Sequence, residues 1–173
     1  MQSIQTVSEN TIYVGASDRR LAKFENLFPI PRGVSYNAYV ILDEKTALLD
    51  TADASVGAQF LENVAAALDG RKLDYLIVDH MEPDHAAMIE AVLVRWPDLR
   101  LVVNAKTLPM LKMYFPTDSA AFDDALVIKE GDTLDLGKHK LTFVMAPMVH
   151  WPEVMMAFDT TTGTLFSADA FGT

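Results

Sequence analysis

"DYLIVDHMEPDHAAMIEAVL", residues 74–93, begins as an apolar run and ends with helical spacing. Between the two lie two His and three acids within seven residues. The apolar "YLIV" reads as a buried strand. Where such a strand turns at the edge of an α/β sheet, side chains converge on a ligand. In "HMEPDH", His80, Glu82 and Asp84 alternate and His85 follows directly. Alternate residues on extended backbone face one way. His80 and Glu82 can therefore grip one centre, while Asp84 and His85, beyond Pro83, turn towards a second. Imidazole with carboxylate and no thiolate suits iron, manganese or zinc. The competing explanation is a solvated acidic turn whose carboxylates cap a helix starting near Ala86. It accounts for Asp84, but not for two His and Glu82 directly behind "YLIV".

The rest of the chain supplies a frame for this segment. Runs rich in β-branched and aromatic residues read as strands: "TIYVGA" (11–16), "NAYVIL" (37–42), "TALLD" (46–50) and "LDYLIVD" (73–79). Later come "LRLVVN" (99–104), "LTFVMA" (141–146), "VMMAFD" (154–159) and "TLFSAD" (164–169). Within 55–68, Val56, Phe60, Leu61, Val64 and Leu68 recur at helical spacing and would cover a sheet. Residues 86–96 and 106–114 read as two further helices, with Gly70, Pro97 and Pro116 where the three helices should stop. "KEGDTLDLGKHK" (129–140) reads as turns between short strands. Strands and helices mixed along the chain, with no linker or repeat, indicate one layered α/β domain over residues 1–173.

Composition narrows the partners. At 173 residues, half of them hydrophobic, the chain can bury a sizeable core. Against 14 basic residues stand 24 acidic ones, a net charge of −10. That field repels phosphate backbones and anionic lipid, which argues against nucleic acid and membrane surfaces as partners. With no Cys, disulfides, iron–sulfur clusters and thiolate metal sites are excluded. The N-terminal "MQSIQTVSEN" is polar, and no apolar run approaches membrane-spanning length. The expected location is the cytoplasm.

Two more segments could complete a dinuclear site. "APMVHWPEVMM" (146–156) presents His150 in a Pro-bracketed turn between two strands. "LFSADAFGT" (165–173) ends a strand with Asp169, whose apolar lead-in suggests burial and a need for metal charge. Each taken singly has an ordinary explanation, a core histidine and a turn aspartate. His139 in "LGKHKL" sits between two Lys and is expected to be solvated. Met145, Met148, Met155 and Met156 surround His150, but thioether belongs to copper sites, so core packing is their expected role. The chain has neither a Gly-rich phosphate loop nor a G-x-S-x-G elbow.

Together, His80-x-Glu82-x-Asp84-His85, His150 in "HWPE" and Asp169 in "LFSADAFG" resemble the metal motif of the flavodiiron proteins, or A-type flavoproteins. "FPIPRGVSYNAYVIL" (28–42) is similar to that family's N-terminal region. The resemblance implies a metallo-β-lactamase-like αββα sandwich. It also implies two non-haem iron ions: one on His80, Glu82 and His150, the other on Asp84 and His85, with Asp169 between them. The implied activity is an oxidoreductase that reduces dioxygen to water, nitric oxide to nitrous oxide, or both. Electrons would come from rubredoxin or a flavin reductase through flavin mononucleotide (FMN), in a head-to-tail homodimer. The family's metal domain adds one more His beyond the bridging Asp and is followed by a flavodoxin-like domain. The expectation is therefore a metal domain truncated at its C-terminus and inactive alone. Zinc hydrolases of the same superfamily carry His where Glu82 stands, and they are the leading alternative. A diiron oxygen sensor without turnover is the other.

Overall fold

The computed structural model describes residues 3–24, 26–115 and 120–171. In chain order the strands begin with β1 (Gln5–Ser8), β2 (Thr11–Tyr13), β3 (Ala16–Asp18), β4 (Lys23–Phe24), β5 (Phe28–Pro29) and β6 (Val34–Tyr36). There follow β7 (Tyr39–Leu42), β8 (Thr46–Leu49), the helix α1 (Gly57–Leu68) and β9 (Tyr75–Ile77). Next come α2 (Pro83–Ala86), α3 (Ile89–Arg95), β10 (Arg100–Asn104), α4 (Thr107–Tyr114), α5 (Ala120–Asp123) and β11 (Leu126–Ile128). The chain continues through β12 (Thr133–Asp135), β13 (Lys140–Met145), β14 (Met155–Asp159) and β15 (Thr164–Phe166).

Two sheets stack. The larger runs β1-β2-β7-β8-β9-β10-β11 and the smaller β12-β13-β14-β15. From β8 to β11 the large sheet is parallel, and such strands are covered on both faces. Their side chains divide by the period of two. Leu48, Leu76, Leu101 and Val103 face a core shared with Phe60, Val64, Ile89 and Leu111 of the helices. Ala47, Leu49, Ile77 and Val102 face the other way, onto Leu141, Phe143, Met155 and Phe166 of the small sheet. The result is the helix–sheet–sheet order of a metallo-β-lactamase-like fold. On the outer face of the small sheet, Phe158 and Leu165 pair in register and are exposed.

Several expected elements form in shortened versions, because strands need a ladder partner and not only a suitable composition. The expected strand over 11–16 divides at Val14 and Gly15 into β2 and β3. The expected helix over 86–96 divides into α2 and α3. Helix α1 stops at Leu68, with Asp69 and Gly70 both at positive φ, as the sequence suggests. Pro116 lies outside the described residues. Asn63, fully buried in α1, donates to the carbonyls of Val14 (3.1 Å) and Gly15 (2.9 Å), fixing the helix to that break. A Cβ on Gly15 would lie 1.8 Å from the backbone oxygen of Tyr36. Gly15→Ala should therefore destabilise the chain by about 1–3 kcal/mol, read as a lower urea midpoint.

Candidate metal centre

All parallel strands of the large sheet release their chain at the same edge, and the candidate ligands gather there. After β9 the chain leaves the ladder and presents His80 and Glu82, both buried. Glu82 is the cap residue of α2 and Pro83 its first residue, yet the Glu82 side chain makes no capping bond. Asp84 and His85 ride on the single turn of α2. Glu82 therefore does not serve as the helix cap, and its Oε2 points at two imidazoles instead.

The small sheet delivers the other two. His150 sits in the turn between β13 and β14, closed by a bridge between Val149 and Trp151. Its φ is +72° and that of Met148 is +64°, left-handed values costly for such residues. Ala168, just before Asp169, has φ +46°. Backbone strain of this kind persists where side-chain direction matters more than local stability.

The six side chains named by the motif come together. Glu82 Oε2 lies 2.7 Å from His150 Nε2 and 3.2 Å from His80 Nε2. Asp169 divides its two oxygens: Oδ1 is 2.7 Å from His85 Nε2, and Oδ2 is 3.5 Å from His80 Nε2 and 3.9 Å from His150 Nε2. Two groups result, His80–Glu82–His150–Asp169 and Asp84–His85–Asp169. Within each, one ligand atom per residue lies within 4.8 Å of every other. Ligands on opposite sides of an ion at about 2.0–2.3 Å are spaced no more widely than this.

The electrostatics fit a cation. Oδ1 of Asp84 is buried without a hydrogen-bond partner, a costly state that a metal ion relieves. Burial, opposed by His85 and assisted by the charges of Asp169 and Glu82, pushes the Asp84 carboxyl up to about 6. Burial pushes the His85 imidazole down, but its bonds to Asp169 and Asp50 and the surrounding negative charge carry it up to about 11. The bond from His85 holds the Asp169 carboxyl below the usual range despite partial burial. The acids thus demand positive charge, and His85 supplies it as imidazolium.

Sequence reasoning missed the layer behind the ligands. Glu153 Oε1 lies 2.8 Å from His80 Nδ1, and Asp50 Oδ2 lies 2.9 Å from His85 Nδ1. Both acids were visible, Glu153 inside "HWPE" and Asp50 closing the strand "TALLD" at the level of the motif. Three expectations need correction. His139 is buried, its Nδ1 2.8 Å from Asp159 Oδ2, because exposed Lys138 and Lys140 alternate around it and turn it inward. Met148 is 72% exposed, so it does not belong to the core that buries Met155 and Met156. The Asp169 side chain is 34% exposed rather than buried, since its loop forms the rim of the site.

Two cavities adjoin the centre. One of about 290 Å³ is lined by Phe24, Asn26, Tyr36, Glu82 and Asp84, so it reaches both groups of ligands. Another of about 360 Å³ lies against Asp50, Asp79, Tyr39 and Phe166. Trp151 stands edge-on to His80 with ring centroids 5.3 Å apart, closing one side. Among the described residues, no helix is long and apolar enough to cross a membrane.

Comparison with known proteins places this geometry. A family model described as ODP family beta lactamase matches residues 34–173. The anaerobic nitric oxide reductase flavorubredoxin of Klebsiella pneumoniae is 36% identical over 168 residues, covering 96% of this chain and 34% of that protein. The flavodiiron protein from Giardia intestinalis superposes with a TM-score of 0.89 at 26% identity, over 99% of this chain and 41% of its own. Rubredoxin oxygen:oxidoreductase from Desulfovibrio gigas gives a TM-score of 0.84 at 30% identity, over 91% and 38%. The chain spans about a third of the length of the curated relatives it matches.

Proposed function

Because the chain belongs to the ODP family of beta-lactamase-like domains, we propose that it is the metal-binding part of a diiron flavoprotein that reduces dioxygen to water, nitric oxide to nitrous oxide, or both. His80, Glu82 and His150 would hold one iron and Asp84 and His85 the second, with Asp169 common to both groups. The observation that carries this reading is the position of Glu82. Its carboxylate lies between two imidazoles, and an oxygen ligand there makes a harder, more anionic site than a third imidazole would. Supporting it are the names of two relatives, a nitric oxide reductase and an oxygen oxidoreductase.

Iron held there would supply redox chemistry, one electron per ferrous ion, which matches the two electrons that a pair of nitric oxide molecules needs and is half of the four that dioxygen needs to become water. What this chain contributes is the shape of the site. Two faces of Asp169 hold the halves in register, and the cavity beside Glu82 and Asp84 has room for a diatomic molecule many times over. In the whole protein, FMN would supply the electrons, with a rubredoxin or flavin reductase as donor to the flavin and a head-to-tail homodimer bringing flavin and iron together. The test measures iron(II) and zinc(II) affinities separately and anaerobically, beside the Glu82→His variant, because zinc binds most nitrogen and oxygen sites more tightly than ferrous iron whatever their function. An iron-to-zinc affinity ratio clearly higher with Glu82 than with His supports the reading, whereas the same ratio in both would transfer the chain to the hydrolases.

The two groups differ in ligand number, four against three among the described residues. Metal should accordingly enter in two steps, the four-ligand group first, and calorimetric titration should resolve two affinities. The second step has a defined pH dependence. His85, protonated up to about pH 11, must release its proton to bind through Nε2. Affinity at that site should fall about tenfold per unit as pH is lowered, and more steeply below about 6, where Asp84 also protonates.

A further inference from the structure

We propose that Glu153 and Asp50 are positioning residues, one for each half of the metal centre, each holding a ligand imidazole by its Nδ1 proton so that Nε2 alone faces the metal. The inference rests on the metal-centre reading above and adds two residues that do not touch the ions.

The two arrangements match in form though they come from different parts of the chain. His80 places Nδ1 2.8 Å from Glu153 Oε1, while its Nε2 faces Glu82 and Asp169. His85 places Nδ1 2.9 Å from Asp50 Oδ2, while its Nε2 faces Asp169. A carboxylate only accepts hydrogen bonds, so each pairing holds a proton on Nδ1 and makes Nε2, which on His85 first sheds its own proton, the nitrogen that meets a cation. Each carboxylate is itself braced. Glu153 Oε1 also accepts from the Met81 amide at 3.0 Å, and the Glu153 carbonyl accepts from Asn104 Nδ2 at 2.6 Å. Asp50 Oδ1 accepts from the Asp79 amide at 2.7 Å and, at 3.4 Å, from that of His80. Asp50 thus orients one imidazole and the backbone of the other.

Glu153 shows why this is more than a brace. Its side chain is fully buried, and Oε2 has no hydrogen-bond partner. A neutral glutamine could accept from His80 at a smaller desolvation cost. A carboxylate is worth burying there if its charge acts through the imidazole on a cation beyond, making Nε2 a stronger donor. Gln and Asn keep the acceptor and remove the charge, so they separate these roles.

The experiment uses the whole chain and zinc(II) as a diamagnetic probe. Zinc affinities would be measured by competition with a chromophoric chelator, and histidine Nδ1 protons followed by NMR on the ¹⁵N-labelled, zinc-loaded chain. E153Q should weaken one site about 10–100-fold and shift the Nδ1 proton signal of His80 alone. D50N should weaken the other site as much and shift the Nδ1 signal of His85, with a smaller shift at His80, whose amide Asp50 also holds. E153D, which keeps the charge, should lose less than E153Q. Circular dichroism checks the fold, and if one variant fails to fold, the other carries the same pair of readouts. Variants that bind zinc within threefold of the unaltered chain, with unchanged Nδ1 signals, would overturn the proposal. An unaltered chain that binds neither zinc nor iron would instead refute the metal centre itself.

Discussion

Glu82→Ala should lower metal affinity at the first site by more than about 100-fold, since changing a residue one layer behind the metal already costs 10–100-fold. Glu82 Oε2 is the atom on which His80 and His150 converge, at 3.2 and 2.7 Å. Its loss leaves two imidazoles and one oxygen of Asp169, a group too small and too weakly anionic to hold iron(II) firmly. Glu82→His should behave differently, retaining binding but exchanging an oxygen ligand for nitrogen. That variant should turn the competition between iron and zinc towards zinc. Anaerobic titration of both variants beside the unaltered chain decides the matter. Equal iron affinity in all three would remove Glu82 from the site.

The second large effect belongs to the frame. Phe143→Ala should destabilise the metal-free chain by about 3–5 kcal/mol, the usual cost of emptying a buried phenylalanine site. Phe143 is fully buried in the layer between the sheets, opposite Ala157 in the ladder of β13 and β14. Its amide and carbonyl also bind Asp132 O and Gly131 N, both at 2.9 Å, so the backbone cannot easily collapse into the space. For a chain of this size the loss corresponds to roughly 6–20 °C in Tm. β13 leads into the turn of His150, and β14 supports β15 and Asp169 behind it. Metal binding should weaken along with stability. A melting temperature within 2 °C of the unaltered chain would mean that the two sheets do not meet there.

The sequence by itself determined the central strands, α1 and the grouping of His80, Glu82, Asp84 and His85, while His150 and Asp169 joined them only through a resemblance to a family motif. Each of the former carries a local signature. Buried parallel strands are continuous apolar runs, and "HMEPDH" sets its ligands so close in sequence that little folding is needed to group them. Edge strands β1, β4 and β5 have no such signature, because two to four mostly exposed residues are specified by their neighbours and not by composition. The tertiary structure alone decided the supports. Asp50 stands 35 residues from His85, and Glu153 stands 73 from His80. An acid after a strand or a proline is ordinarily a turn residue, and neither differs locally from the many that are. What gives each its part is the stacking of two sheets whose strands end at one edge. Apolar burial drives that stacking, and it brings polar residues from distant loops within hydrogen-bond distance, where a buried carboxylate must find a donor and an imidazole Nδ1 provides one.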